Sequence, residues 1–277
     1  NGLIIKNKLM ERIRECKKGD REYIEEMAKL IWEGDDYLPG VFNSWVEDGG
    51  FFVAEEDGRV IGTVKITILP EKVGWLEGLR VHPDYRGRGI GKRLNDFILD
   101  RAEELKKKGN IKDIEFSTYF KNVESLHITK KSGFRVIRGF YTMYREKDEE
   151  KNPPEEITLN RVDVKSYSDY LSNGWRFVRN TEEGFRWLRQ RMKGYSSGDY
   201  KFYISGHEES AVILNRQKKA IRKYTEALNS LTEDEDSYSI FFPEEWDHLI
   251  EPLKESGYKF WEDDVGEPNI VILRYFS

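Results

Sequence analysis

One stretch in the first half of the chain combines closely spaced glycines with cationic side chains: His82-Pro83-Asp84-Tyr85-Arg86-Gly87-Arg88-Gly89-Ile90-Gly91. A strand is expected before it and a helix after it. In such a strand-loop-helix arrangement, free backbone N–H groups at the helix start converge on an anion, and the helix dipole adds about 0.3–1 kcal/mol per favourable charge. The stretch therefore predicts a phosphate-binding loop.

Two common phosphate-binding loops do not fit this sequence. A Walker loop would need a glycine where Arg86 stands and Ser or Thr where Arg93 stands. A dinucleotide-binding loop would need a glycine in place of Lys92, and a parallel βαβ unit opening the domain. Neither class of nucleotide site is predicted.

The loop resembles the acyl-CoA pyrophosphate loop of the GNAT N-acetyltransferase superfamily, whose pattern is Arg or Gln, two residues, Gly, one residue, and Gly or Ala. Arg86, Gly89 and Gly91 match it in register, and Leu79 to Tyr85 and Gly133-Phe134 resemble flanking motifs of that family. The resemblance covers most of residues 10–145. It implies acetyl-CoA as cosubstrate and these cofactor-binding residues: Leu79, Arg80, Val81, Arg86, Gly87, Arg88, Gly89, Ile90, Gly91, Lys92, Asn122, Ser125 and Thr129.

A structural alternative exists for the same loop. The glycines could simply make a tight turn, with Arg86, Arg88, Lys92 and Arg93 as solvated surface charges. Four cations around a nest of amides favour the anion-binding interpretation.

The resemblance implies transfer of an acetyl group from acetyl-CoA to an amine by direct attack in a ternary complex, without a metal. A backbone N–H of the fourth strand, at Leu79, Arg80 or Val81, would polarise the thioester carbonyl. An ammonium has no lone pair, so a carboxylate is expected to help remove its proton. Glu77 on the fourth strand is the first candidate, and Glu115 on the fifth strand is the second.

The family often protonates the leaving thiolate with a tyrosine in the helix after the fifth strand, where this sequence has Thr129. The expected tyrosine is missing. Water, His127 or Tyr119 could serve instead, or the thiolate, with a reference pKa of about 8.5, could leave unassisted.

The connection between the first two helices forms one wall of the acceptor pocket in this superfamily. Asp36, Tyr37 and Trp45 could hold a cationic amine there by Coulomb and cation–π attraction. Alternatively, the aromatic rings close the core and the aspartate caps a helix. A weaker resemblance to histidine N-acetyltransferase-like members with a C-terminal extension implies a small-molecule amine acceptor, such as an amino acid. Protein N-termini or lysines are alternative acceptors, and a noncatalytic acyl-CoA sensor is the rival class.

The predicted fold class is α+β. Strands are expected at Arg12 to Glu15, Phe51 to Glu55, Val60 to Leu69, Trp75 to Val81 and Asp113 to Thr118, and helices from about Asp20, at Val41 to Asp48, Gly91 to Lys108 and Val123 to Lys131, with two further strands ending near Arg145. This order predicts a mixed α+β sheet domain, and the resemblance to the superfamily implies a GNAT fold, with a mixed and mostly antiparallel sheet flanked by helices.

The charged, proline-containing stretch 148–156 predicts a linker between a GNAT domain at 1–147 and a smaller α+β domain at 157–277. The second domain repeats the order strand, helix, Gly-aromatic and strand, with Ser256-Gly257-Tyr258 mirroring Ser132-Gly133-Phe134. This indicates a degenerate GNAT-like repeat, although any strand-helix-strand unit could give the same order. The repeat lacks a glycine-rich loop.

Composition narrows the class of partner. The 46 Lys+Arg and 51 Asp+Glu side chains give a net charge of -5 without a basic region, so nucleic-acid binding is not expected.

No apolar run is long enough for a membrane span, and the single Cys16 suits a reducing compartment, so we expect a cytoplasmic protein. The scattered histidines do not indicate a metal site, and the 35% charged residues are typical of thermophile surfaces. Oligomeric state cannot be read from the sequence.

Overall fold

The computed structural model describes residues 12–34, 36–205, 210–231, 237–262 and 267–276. The chain divides into two compact units. The first consists of residues 1–68 and 74–114, and the second of residues 69–73 and 115–277. Within the described ranges, no helix is both long and apolar enough to cross a membrane.

The first unit is a sheet with helices, in the order that the sequence predicted. Its elements are β1 (Arg12–Glu15), α1 (Arg21–Ala28), α2 (Leu38–Asp48), β2 (Phe51–Glu56), β3 (Arg59–Leu69), β4 (Val73–Val81) and α3 (Ile90–Lys107). The strands are ordered β1-β2-β3-β4. β1 pairs antiparallel with β2, and β2 with β3.

The helices α1 and α2 bury one face each against this sheet. Ile24 and Met27 of α1 and Phe42 and Trp45 of α2 share one hydrophobic cluster with Phe51 of β2. These residues recur at helical spacing, so each helix presents a continuous apolar stripe.

A glycine brings α3 close to the sheet. A Cβ at Gly62 of β3 would lie 2.8 Å from both the Arg80 carbonyl oxygen and Leu94 Cδ1. Only a residue without a side chain fits between β4 and α3 at this point. The close approach fixes the start of α3, and with it the loop that precedes it.

The second unit contains more strands. Its elements are β5 (Asp113–Tyr119, which begins at the end of the first unit), α4 (Val123–Lys131), β6 (Phe134–Glu146), β7 (Glu155–Ile157), α5 (Arg161–Val164), β8 (Tyr170–Asn173), β9 (Arg176–Arg179), α6 (Glu182–Arg189), β10 (Met192–Ser197), β11 (Tyr200–Ser205), β12 (Ser210–Ile213), α7 (Ala220–Leu231), β13 (Ser237–Pro243), α8 (Ile250–Glu255) and β14 (Ile270–Tyr275).

The strand order in the second unit shows an exchange of strands between the two halves of the chain. The order is β5-β14-β6-β13-β12-β11-β10-β7, and β8 pairs with β9 in a separate hairpin. β14 is antiparallel to both β5 and β6, and β6 is antiparallel to β13. The strand from each half therefore completes the sheet of the other.

This order supports the predicted repeat. In each half, a meander of strands leads to a long helix, a strand, a short helix and a final strand: α3, β5, α4, β6 in the first and α7, β13, α8, β14 in the second. The final strands have exchanged places, because β14 lies beside β5 and β6 lies beside β13.

Three details differ from the sequence prediction. The two strands expected before Arg145 are one continuous strand, β6. The predicted linker 148–156 includes the start of β7, which pairs with β10. The compact units separate near residue 114 instead of residue 147, because β14 pairs with both β5 and β6 and so joins them to the C-terminal half.

The strand exchange predicts that residues 12–147 do not fold alone. Without β14, the facing edges of β5 and β6 lose their ladder partners, and buried Leu273 no longer covers them. We expect no cooperative thermal transition for this fragment by circular dichroism, whereas the full chain, as control, unfolds cooperatively. A fragment melting within about 4 °C of the full chain, the shift produced by about 1 kcal/mol in a protein of this size, would contradict the role of β14.

Candidate functional site

The glycine-rich loop adopts a backbone that ordinary residues resist. Gly87 and Gly89 have φ angles of +76° and +77°, in the left-handed region where a Cβ is strained. Within the described structure, no atom lies within 4 Å of a Cβ added at Gly87. The loop is exposed from Arg86 to Gly89, so a ligand can approach its backbone.

The loop leads directly into the N-terminus of α3. Gly89 is the N-cap and has no side chain that could accept the hydrogen bonds of the first turn. The amides of Ile90, Gly91 and Lys92 therefore belong to a first turn without intrahelical acceptors. This end of an 18-residue helix fits a phosphate group.

The cationic side chains of the loop lie at the surface with weak partners. Arg86 Nε donates to the Val81 carbonyl oxygen at 3.4 Å, Arg88 Nη1 lies 3.4 Å from Glu56, and Lys92 pairs with Asp96 at 2.5 Å. Exposed pairs of this kind contribute about 0–1 kcal/mol. The cations can therefore reorient toward an anion at little cost.

β4 changes direction at Gly78. Its φ is +66°, and its carbonyl oxygen accepts a hydrogen bond from Thr63 Oγ1 at 2.7 Å. A Cβ there would lie 2.5 Å from the Trp45 ring. Strict side-chain alternation does not continue through a left-handed residue. Leu79, Arg80 and Val81 follow the bend, and all three are partly exposed.

Glu77 lies immediately before the bend. Its Oε1 accepts a hydrogen bond from Thr67 Oγ1 of β3 at 2.5 Å, and the carboxylate is partly buried. Thr67 was not predicted. A hydroxyl donor fixes the carboxylate in one orientation, which a general base requires.

Asp36, predicted to contact the acceptor, has a protein partner instead. Arg80 binds its carboxylate through Nε at 2.9 Å and Nη2 at 3.3 Å, and the carboxylate side chain is fully buried. Asp36 Oδ1 also accepts from the Leu38 amide at 3.2 Å, which is the helix-capping alternative. Removing one partner of such a buried pair costs about 3–5 kcal/mol.

The Arg80 guanidinium lies over two aromatic rings. Its carbon is 4.2 Å from the centroid of Trp32 and 5.2 Å from that of Tyr37, so the loop between α1 and α2 is fixed to β4 through one side chain. Trp32 has a φ of +47° and remains 58% exposed. Burial raises the pKa of Tyr37, so its phenol stays protonated. Trp45 is buried in the core, in an edge-on contact with Tyr37.

The second candidate base, Glu115, lies in the second unit at the centre of an ionic cluster. Its carboxylate is 0% exposed and accepts from Tyr170 Oη at 3.0 Å and from Arg179 and Arg274 at 2.8 Å each. Three donors from β8, β9 and β14 occupy both oxygens. This arrangement fits a structural carboxylate better than a proton acceptor.

The helix α4 and its N-cap, also in the second unit, carry the implied cofactor-binding residues Asn122, Ser125 and Thr129. Asn122 Oδ1 accepts from the Ser125 amide at 3.2 Å and so caps the helix. Thr129 Oγ1 donates to the Ser125 carbonyl oxygen at 2.8 Å and is buried. His127 is exposed. The threonine hydroxyl is thus committed to its own helix.

Tyr119, at the end of β5, has an unusual hydroxyl. The oxygen is buried and has no hydrogen-bond partner among the described residues. Burial raises the pKa of the phenol, so it remains a donor at neutral pH. Its ring contacts Phe120 and Trp261, with centroids 5.1 and 5.7 Å apart.

In the second half, hydrogen bonds join the segment before α7 to α7 itself, and α7 to β11. Tyr224 of α7 donates to the Lys201 carbonyl oxygen, and the Asn215 amide donates to Tyr224 Oη, both at 3.1 Å. Residues 214–219 before α7 contain no glycine.

In the described ranges, no group of three or more His, Cys, Asp or Glu residues is arranged to hold a metal ion.

Sequence reasoning missed several of these residues for a common reason. The contacts of Thr67 with Glu77 and of Trp32 with Arg80 join residues distant in sequence, and no local pattern reports them. Gly78 did give a signal, because a glycine inside a strand often marks a bulge.

Known proteins resemble part of this chain in sequence. Histidine N-acetyltransferase of Xenopus tropicalis is 37% identical over 81 residues, which are 28% of this chain and 25% of that protein. An uncharacterized N-acetyltransferase of Methanocaldococcus jannaschii is 30% identical over 152 residues, covering 48% of this chain and 66% of that protein. The chain thus spans about a quarter of the length of the Xenopus protein and about two thirds of the length of the Methanocaldococcus protein.

The fold likeness extends over both halves. A GCN5-related N-acetyltransferase from Sphaerobacter thermophilus superposes with a TM-score of 0.65 over 95% of each chain, at 12% identity. The sequence model of the Acetyltransferase (GNAT) family matches residues 13–134, which include the loop, β4 and α4. On these grounds residues 13–134 form a domain of the Acetyltransferase (GNAT) family.

Proposed function

We propose that the protein is an acetyl-CoA-dependent N-acetyltransferase that acts on a primary amine. The observation that carries the proposal is the loop Arg86 to Gly91, whose left-handed glycines and uncapped helix start fit the pyrophosphate of CoA. Acetyl-CoA is a cosubstrate here, and the proposed chemistry uses no metal.

The acetyl group would be activated by the backbone of β4. After the bend at Gly78, an amide of Leu79, Arg80 or Val81 would donate to the thioester carbonyl oxygen. One donor aimed at a developing oxyanion in a dry site contributes about 3–4 kcal/mol. Arg80 would support this backbone through its side chain, because its pair with Asp36 holds the strand against the α1–α2 loop.

Glu77 is the proposed general base. It would accept a proton from the ammonium, directly or through water, while Thr67 holds its carboxylate. The amine then attacks the thioester carbon, the C–S bond breaks, and CoA leaves as a thiolate, while the surplus proton on the new amide nitrogen is passed on to that sulfur. Thr129 and His127 are poorly suited as the acid, since one donates to its helix and the other is exposed; water or Tyr119 remains for that role.

The proposed acceptor is a small molecule carrying an amine, such as an amino acid. The named relatives include histidine N-acetyltransferases, which supports this class over a protein N-terminus or lysine. A noncatalytic acyl-CoA sensor would bind the cosubstrate but release no thiol with any amine. Thiol release by the wild type across a panel of amines therefore separates the two functions.

Replacing Gly89 by Ala should weaken CoA binding at least about tenfold by isothermal titration. A φ of +77° is strained for alanine, so the loop backbone must shift. Its amides then no longer point toward the pyrophosphate. Gly109→Ala is the matched control, since its φ is +74° and no described atom lies within 4 Å of the added Cβ. Both variants should lose about 1–2 kcal/mol of stability. Equal CoA affinity in the two variants would exclude this loop as the CoA site.

Replacing Glu77 by Gln should lower kcat at least about 100-fold without changing CoA affinity, because a general base contributes 10²–10⁴-fold. Thiol release across a panel of amines measures it. Glu115→Gln is the contrast: losing the charge between Arg179 and Arg274 should cost about 3 kcal/mol of stability and lower the Tm. If Glu77→Gln keeps full turnover, Glu77 is not the base. Absence of turnover in the wild type on every amine would favour the sensor.

Titration should give one CoA bound per chain despite the repeat. Residues 214–219, which precede α7, contain no glycine, and Asn215 of this segment is hydrogen-bonded to Tyr224 of α7. Two equivalent sites per chain would contradict this assignment of the halves.

A further inference from the structure

The side chain of Arg93 in α3 reaches back to the glycine-rich loop that precedes the helix. Its Nη1 donates a hydrogen bond to the Arg88 carbonyl oxygen at 3.0 Å. The same nitrogen would lie 3.2 Å from a Cβ added at Gly89, so the guanidinium passes close to the backbone of that glycine. The loop and α3 both belong to the first unit. One side chain of the helix therefore contacts the backbone of the segment that leads into it.

The backbone on either side of this contact is held by other hydrogen bonds. Before it, the Arg86 amide donates to the Pro83 carbonyl oxygen at 3.1 Å. After it, α3 begins at Ile90, and the Arg93 amide donates to the Gly89 carbonyl oxygen at 3.1 Å as a bond of the helix. The peptide that the Arg93 side chain contacts lies between these two stretches.

This peptide, which joins Arg88 to Gly89, can adopt two orientations. Reversing it changes the ψ of Arg88 and the φ of Gly89 together, and a glycine accepts both signs of φ. Gly89 has a φ of +77° in the structure. One hydrogen bond favours the orientation that makes it by about two- to tenfold. The bond from Arg93 therefore decides which orientation is populated.

The orientation of the peptide sets the direction of an amide. The carbonyl and the N–H of one trans peptide point in opposite directions. Because the Arg88 carbonyl points at Arg93, the Gly89 N–H points away from the guanidinium. The carbonyl oxygen would repel an anion, and its bond to Arg93 keeps it turned aside. Such an arrangement, made before the ligand arrives, is what a preorganised donor requires.

The charge of Arg93 does not explain its position. Lys92 and Arg93 are the third and fourth residues of α3, and the first turn has no acidic residue. A cation at the N-terminus of a helix opposes the helix dipole. The charge therefore does not stabilise the helix, whereas the hydrogen bond stabilises the loop.

We propose that Arg93 is a positioning residue, which holds the peptide between Arg88 and Gly89 so that the Gly89 N–H is available to the bound phosphate. Arg93 acts through this peptide and is not itself an anion ligand. The inference rests on the proposed function only for the identity of the anion, the pyrophosphate of CoA. It separates Arg93 from the other cations of the loop, whose side chains can reorient toward the anion.

The first test measures CoA affinity of the full chain by isothermal titration at low and high salt. Arg93→Met should weaken binding about three- to tenfold, because methionine has a similar length but no donor. The loss should persist at roughly 0.5 M NaCl, where the Debye length is about 4 Å and exposed charges are screened.

Lys92→Met is the matched contrast, because Lys92 is a neighbouring cation that pairs with the Asp96 side chain. Its removal takes away charge without freeing the Arg88 peptide, so its loss of CoA affinity should disappear at high salt. If Arg93→Met loses affinity only at low salt, the arginine acts by charge and the positioning role is overturned. Unchanged affinity in Arg93→Met at both salt concentrations would overturn it as well.

The second test needs no ligand. A crystal structure of the free full chain should show the Arg88 carbonyl bound to Arg93, whereas in Arg93→Met the peptide should be reversed or divided between two orientations. Arg101→Met is the control, since it removes an exposed cation of the same helix that pairs with Glu104, and the peptide should stay as in the wild type. An unchanged peptide in Arg93→Met would overturn the proposal.

The two proposals fail in distinguishable ways. If the wild type binds no CoA while Arg93→Met still reorients the peptide, the positioning role stands and CoA is not the anion. If the wild type binds CoA and the peptide keeps its orientation in Arg93→Met, the CoA site stands and the role of Arg93 is overturned.

Discussion

The antiparallel pairing of β14 with both β5 and β6 is the constraint on which the second unit depends. β5 carries Glu115, Ser117 and Tyr119, and all three take their surroundings from residues of the C-terminal half. Arg274 of β14 reaches Glu115 directly, and the β8–β9 hairpin covers the same strand. β5 lies within residues 13–134, the region that matches the family model, yet its side chains contact residues more than 50 positions away in the chain.

The glycine-rich loop was predictable because its determinants are local. Glycines at positions 87 and 89 indicate left-handed backbone, which the structure has at both. The helix that follows is predicted by apolar residues recurring at helical spacing. The helix α4 is also local, and its predicted bounds, Val123 to Lys131, are those of the structure. The order β2-β3-β4 follows from the short connections between these three strands, which leave few alternatives.

The rest of the site depends on long-range contacts. Asp36 and Arg80 are 44 residues apart, so the sequence could not show that a predicted substrate carboxylate binds an arginine. Glu115 was similar: a charged residue in a strand suggested catalysis, whereas its partners come from positions 170, 179 and 274. The repeat was visible from the Gly-aromatic motifs, but the exchange of final strands was not, since both pairings satisfy the same local pattern.

The strand exchange also bears on how the protein is made. Glu146 ends β6 and Ile270 begins β14, and these residues are 124 positions apart. At a ribosomal elongation rate of 5–20 residues per second, β5 and β6 wait roughly 6 to 25 s for the strand that lies between them. During that interval two strand edges of the nascent chain lack their partner, and unpaired edges of this kind are prone to aggregation.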